Sequence, residues 1–232
     1  MTAHFTVDVE QDCPPYLSTW RGIEEGLPRL LSLLADERVV ATFFTTGAVA
    51  RRHPSAVRAI VDGGHELACH GDTHRDFTTL DERESEREIS AASSTLREFA
   101  PVTSFRAPYL RLPRRSVGLL ARYGYRVDSS EGRHKTLGAR VHVDRDVLRV
   151  PASITSSTLR WPAAPRNLLL DRLRDPIVLF VHPWEFVDLR RAPIRWDCRF
   201  KTGDAALACV GSAIRRLVAS GAAFGPMRDC AR

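Results

Sequence analysis

The chain has 232 residues, 44% hydrophobic and 27% charged, with a formal net charge of +6. That length supports one domain with a sizeable core, no linker divides it, and residues 1–232 therefore read as a single domain. No apolar run approaches the roughly 20 residues that span a bilayer. The positive surplus is almost all arginine, dispersed among Asp and Glu, with Lys135 and Lys201 the only lysines, so no nucleic-acid partner is expected, while anionic substrates stay open.

The N-terminus passes straight into an alternating pattern without the marks of a secretory signal, and the five cysteines are scattered and odd in number. Both features lead us to expect free thiols and a cytoplasmic protein. In chain order, residues 4–9 alternate toward an acidic end and read as a strand. Ile23, Leu27, Leu30, Leu31 and Leu34 place a helix over 21–34, and 39–44 is a buried strand, completing a β-α-β unit. Pro54 opens a helix that Gly63-Gly64 closes, before a strand at 66–69. Residues 81–99 form a charged helix with Asp81 and Glu84 in a capping arrangement. Then follow a strand at 103–106, a helix at 113–123, strands at 125–128, 147–150 and 177–181, a helix at 203–219 and a last strand at 222–224. Such alternation predicts a parallel α/β fold, open or closed into a barrel, with its active site at the carboxyl ends of the strands.

Polar residues collect at those ends: Asp8 and Glu10, His70 and His74, Arg106, Asp128 and His182. On a helical turn, His70 and His74 would bring both rings to one side, where one carboxylate would complete a metal site. Asp8 and Glu10 lie two apart on a strand and share a face, so one can hold metal while the other takes a proton; Asp12 shares that face too. His182, at the mouth of a buried strand, can protonate a leaving amine, with Asp128 able to orient its ring or raise its pKa. Arg106 can orient a carboxylate base, and the Tyr109 amide can donate to a developing oxyanion. Each feature alone has an ordinary reading as a surface histidine, a solvated strand end or a turn aspartate.

Taken in order, five segments resemble the polysaccharide deacetylase family, also called the NodB-homology domain or carbohydrate esterase family 4. They are Thr6-Val7-Asp8-Val9-Glu10; Ala41-Thr42-Phe43-Phe44 with Gly64 through His74; Ser104-Phe105-Arg106-Ala107-Pro108-Tyr109; Gly124 through Ser130; and Leu179-Phe180-Val181-His182. The resemblance covers most of the chain. It implies a distorted (β/α) barrel of about seven strands and a divalent metal, Zn²⁺ or a similar ion, held by an acid and two histidines. It also implies Asp8 as general base, Arg106 as its orienting partner, Glu10, His70 and His74 as metal ligands, Tyr109 as a backbone oxyanion donor, and His182 as general acid assisted by Asp128. Leu110, Trp161 and Trp184 are candidates for shaping the substrate pocket.

Three departures from the family pattern stand out. Val9 occupies the place where most members carry a second aspartate, which leaves Glu10, with Asp12 as the alternative, for the metal. The Asp-x-Glu form accompanies a last motif reading His182-Pro183-Trp184-Glu185, as in one branch of the family. Gly71 stands where a Ser or Thr usually follows the first metal histidine. The activity implied is removal of an N-acetyl group from an amino-sugar substrate in the cytoplasm: a nucleotide sugar, a lipid-linked sugar or a glycosylated metabolite. The alternatives are an amidohydrolase or deformylase acting on a non-sugar amide, and an inactive carbohydrate-binding homologue.

Overall fold

Eight-residue β1 (Thr2–Val9) is buried on both faces from Ala3 onward, the pattern of a strand enclosed by helices on one side and an interior on the other. The computed structural model describes residues 1–136 and 138–231. After β1 come α1 (Leu27–Asp36), β2 (Thr42–Thr45), α2 (Gly47–Arg52), α3 (Pro54–Asp62), β3 (Glu66–Cys69), α4 (Glu82–Arg97), β4 (Ser104–Phe105) and α5 (Val117–Arg122). The chain continues with β5 (Val127–Asp128), β6 (His142–Asp144), β7 (Val147–Arg149), α6 (Ser156–Leu159), α7 (Ala163–Leu170), β8 (Ile177–Val181), α8 (Trp196–Arg199), α9 (Asp204–Ala219) and β9 (Ala223–Phe224).

Among the described residues the sheet runs β6-β7-β5-β4-β3-β2-β1-β8, with β9 beside the start of β1. Neighbours are parallel except in the β6–β7 hairpin. The segment after β7 reaches β8 through one residue: the Ser153 amide donates to the Val178 carbonyl at 2.8 Å, and the Val178 amide donates to Ser153 Oγ at 2.9 Å. The result is the expected distorted barrel, with nine strands among the described residues where about seven were expected. β6 is a hairpin edge whose His142 and Val143 are exposed, so it lacks the apolar signature that marks the other strands.

Strand alternation divides the core. Phe43 faces the helices with Phe5, Val7, Leu30 and Ile60, whereas Phe44 faces the interior with Ala68, Val127, Val150 and Phe180. The helix on α4 is set as its sequence implies, because Asp81 and Glu84 exchange reciprocal capping bonds. β2 begins three residues later than the apolar run, since the Val39 amide is still bonded to the Leu34 carbonyl at the end of α1.

The helix expected over 21–34 opens with a widened turn, Gly22–Gly26, before α1. This turn presses on the Pro183–Phe186 segment that follows β8. A Cβ on Gly26 would lie 2.1 Å from the Pro183 carbonyl oxygen, and one on Gly22 would lie 2.6 Å from the Trp184 nitrogen. Both obstacles are backbone atoms, so no rotamer change relieves them. Gly26→Ala is therefore expected to destabilise the fold by about 1–3 kcal/mol and to depress hydrolysis by shifting the turn next to His182. Urea unfolding with parallel rate measurements checks this; wild-type stability in the variant contradicts so tight an approach.

Candidate metal centre and active site

Glu10, His70 and His74 meet at the carboxyl end of the barrel, each offering one ligand atom within 4.8 Å of the others. Glu10 Oε2 lies 3.4 Å from His70 Nε2 and is in direct contact with His74 Nε2. His70 Nδ1 is 2.7 Å from the Arg106 carbonyl oxygen, which can only accept, so the ring hydrogen sits on Nδ1 and Nε2 presents its lone pair. Burial alone would raise the Glu10 carboxyl, but His74, His70 and His182 outweigh it and hold it well below the usual carboxylate range. An anionic carboxylate from the end of β1 and two imidazoles from the loop after β3 are a donor set that a divalent ion fits.

The two histidines are brought together by a loop, not by a helical turn. Gly71 (φ 75) and His74 (φ 61) both adopt left-handed backbone conformations. That requirement accounts for glycine at 71, because a β-substituted Ser or Thr would be strained there. Glu88 on α4 fixes the loop: its Oε2 accepts from the Asp72 and Thr73 amides, both at 2.9 Å, and its Oε1 accepts from Thr73 Oγ1 at 2.5 Å. Asp12 is turned away from the centre. Its carboxylate accepts from the Gly22 amide at 2.8 Å and from Thr19 Oγ1 at 2.7 Å, so it closes the loop before α1.

Asp8 is buried beside this cluster and accepts from Arg106 Nη1 at 2.7 Å. Arg106, fully buried, also donates from Nη1 to Thr6 Oγ1 (2.8 Å) and from Nη2 to Ser129 Oγ (2.9 Å), and lies 4.2 Å above the Phe44 ring. Across the cavity, His182 Nε2 is 3.8 Å from Glu10 Oε1, and the ring stacks on Trp184 with centroids 4.8 Å apart. Burial disfavours the imidazolium, yet the hydrogen bond to Glu185 and the charges of Glu10, Glu185 and Asp8 outweigh it, raising the His182 pKa to about 9. Asp8, Glu10, His70, His74, Tyr109 and His182 all line one cavity of about 360 Å³, toward the small end of ligand sites.

The sequence profile described as Polysaccharide deacetylase matches residues 9–127. The chain belongs to the polysaccharide deacetylase family. It is 29% identical over 163 residues to a chitooligosaccharide deacetylase of Sinorhizobium fredii, covering 69% of this chain and 63% of that protein. It is also 29% identical over 126 residues to a peptidoglycan deacetylase of Helicobacter pylori, covering 52% and 42%. The chain thus spans less than two thirds of the length of these curated relatives. Among solved structures, a Mycobacterium smegmatis protein assigned to the polysaccharide deacetylases superposes with a TM-score of 0.77 at 23% identity, over 99% of this chain and 88% of that one. A Streptomyces lividans family 4 carbohydrate esterase bound to acetate gives 0.66 at 20%, over 97% and 91%. A Bacillus anthracis pseudoenzyme of the same family gives 0.69 at 16%, over 100% and 65%, so the polysaccharide deacetylase fold is shared by chains with and without turnover.

Asp128 does not meet His182. Its Oδ2 lies 2.5 Å from Arg149 Nε, and the carboxylate also accepts from Ser130 Oγ, which in turn accepts from the Ala107 amide at 2.7 Å. This corrects the expected assistance to the acid: Asp128 holds the loop that carries Tyr109. The partner of His182 Nδ1 is instead Glu185 Oε1, at 2.8 Å. Tyr109 has a left-handed backbone (φ 61), its carbonyl accepts from Lys135 Nζ at 2.6 Å, and its ring meets the His74 ring edge-on. Trp184 is buried beneath His182, with Nε1 3.5 Å from Glu10 Oε1; Leu110 lines the cavity, and Trp161 is not among its lining residues. Three supporting residues had no role assigned from the sequence: Glu88, Arg160 and Glu185, the last of them named there only as the end of the His182-Pro183-Trp184-Glu185 motif. Glu88 carried a usable signal, an acid on the buried stripe Ser85, Glu88, Ile89, Ala92 and Leu96 of α4.

Proposed function

We propose that the chain is a metal-dependent N-deacetylase of N-acetylated amino sugars, with Asp8 as general base and His182 as general acid. The observation that carries this reading is the convergence of a Glu-His-His donor set, the buried Asp8 carboxylate and the His182 imidazole on one cavity. A divalent ion bound to Glu10, His70 and His74 supplies Lewis acidity to the acyl carbonyl and to the attacking water. Asp8 takes the water's proton, and its position is fixed because Arg106 occupies one of its oxygens. The Tyr109 amide is the further donor to the developing oxyanion. His182 Nε2 gives its proton to the departing nitrogen, without which an amine leaves poorly. The cavity volume suits one sugar residue with its N-acyl group.

Retention of both base and acid favours turnover over the carbohydrate-binding alternative. The test is acetate and free-amine release from N-acetyl sugars, using chain loaded with Zn²⁺, with N-formyl sugars and acetanilide as comparisons. Equal yields of acetate and amine from a sugar, abolished by a chelator and restored by metal, are expected. Hydrolysis confined to acetanilide overturns the sugar reading, hydrolysis confined to N-formyl sugars overturns the acetyl one, and no hydrolysis of any of them overturns the enzymatic one.

The His182 pKa adds a pH dependence. As a raised value, it contributes to stability fully below the ordinary 6.5, and this contribution is lost as pH rises through about 9. Activity follows the same direction, because only the imidazolium can act as donor. Bound metal beside Glu10 opposes the shift, so the alkaline limb of kcat is expected at or below that value. A profile that stays flat through it contradicts His182 as donor.

A further inference from the structure

His182 is followed by a tight turn, Pro183–Phe186, that brings Glu185 back against it. One oxygen of Glu185 accepts from both the His182 amide (3.0 Å) and His182 Nδ1 (2.8 Å). The other oxygen lies 3.0 Å from Arg160 Nε, off the line of a hydrogen bond but in ionic contact. Both side chains are 1% exposed. Arg160 has no freedom to leave: Nη1 donates to the carbonyls of Cys198 (2.9 Å) and Phe200 (2.5 Å), and Nη2 donates to that of Asp197 (3.0 Å). These are carbonyls at the end of α8, a four-residue helix with too few residues to satisfy them internally. The guanidinium thus ties the wall of the cavity to the carboxylate behind His182, since Cys198 and Asp197 line that cavity as well.

Stabilisation alone does not account for this arrangement, because a buried ion pair contributes little net stability unless it fixes a geometry. The geometry it fixes is that of the imidazole. With Nδ1 committed to Glu185 and one ring face against Trp184, Nε2 can point only toward the cavity. We propose that Glu185 and Arg160 are the positioning pair of the proton donor, Glu185 holding the His182 ring and Arg160 holding Glu185. This deepens the hydrolase reading and rests on it. In the step concerned, the C–N bond breaks, its electron pair stays on nitrogen, and nitrogen takes the proton from His182 Nε2. The ring is left neutral, with its remaining hydrogen on Nδ1 facing Glu185.

The leaving group provides the test. An amide needs the donated proton, whereas 4-nitrophenyl acetate expels a phenolate that leaves without it. In Glu185→Ala, kcat for an N-acetyl sugar and for acetanilide is expected to fall about 100-fold, with KM within about threefold and metal content unchanged, while ester hydrolysis falls far less. Glu185→Gln, which keeps shape and acceptor but not charge, should rescue part of the loss. Arg160→Lys, which cannot span the three carbonyls, should show the same contrast between amide and ester in milder form. Nitrogen NMR of the His182 ring, recorded at a pH where the ring is neutral, is the readout independent of turnover: its one hydrogen is fixed on Nδ1 in the wild type and distributed over both nitrogens in Glu185→Ala.

Parallel loss of amide and ester hydrolysis overturns the proposal in favour of general disruption, and so does an unchanged ring spectrum. If the wild type cleaves acetanilide but no sugar, the sugar reading fails and acetanilide still decides the pair's role. If it cleaves neither, the ring spectrum decides.

Discussion

Asp8→Asn is expected to lower acetate release by about 10²–10⁴-fold while the bound metal stays in place. The substitution preserves the shape of the side chain and an oxygen for Arg106 Nη1, which holds Asp8 at 2.7 Å. What it removes is the capacity to accept the water's proton. Asp8 is also not one of the three residues whose ligand atoms converge, so metal content distinguishes loss of the base from loss of the centre. Unchanged turnover in Asp8→Asn would place the base elsewhere. Loss of metal together with activity would make Asp8 a ligand and return the question of the base to the cavity's remaining groups.

The second large effect is on stability. Arg106→Met should cost about 3–5 kcal/mol, because it strands the buried Asp8 carboxylate without a counter-charge. Arg106 and Asp8 side chains are 0% and 5% exposed. Thr6 Oγ1 and Ser129 Oγ lose their donor in the same change. Against a typical domain stability of about 5–15 kcal/mol, this is a large fraction. The exposed pair Arg21–Glu25 provides the comparison, with side chains 45% and 51% accessible and an expected cost of about 0–1 kcal/mol for its removal. Urea denaturation of both variants gives the contrast; similar costs for the two would mean that Asp8 is hydrated well enough to do without Arg106.

The sequence made the frame and the principal site residues legible because they obey local rules. Strands at 66–69, apolar after Glu66, and at 177–181, apolar throughout, are bounded by turn residues and followed by histidines, and they occur where expected. Asp8 and Glu10 alternate onto one face, as a strand demands. What was not legible depends on contacts between distant segments. Nothing local shows that Asp12, on the same face as Glu10, is recruited by Gly22 and Thr19, or that Arg149 takes Asp128. Arg160 lies between the strands at 147–150 and 177–181 in a stretch where the sequence assigned no element, and its partners are Glu185 and the carbonyls around α8, which only the fold brings to it. The His70–His74 spacing fits a helical turn equally well, and only the positive φ at Gly71 decides for a loop. Gly71 was the available clue, since a glycine between functional residues often marks a backbone conformation that other residues resist.

The most direct measurement is a metal-binding titration of the purified chain and three variants, with bound metal counted after dialysis. One divalent ion per chain is expected in the wild type. Affinity should fall by at least about 100-fold in Glu10→Gln and His74→Ala and stay near the wild-type value in Asp12→Asn. Retention by Glu10→Gln with loss in Asp12→Asn, or a wild-type chain that binds no divalent ion, contradicts the centre on which the base and acid assignments depend.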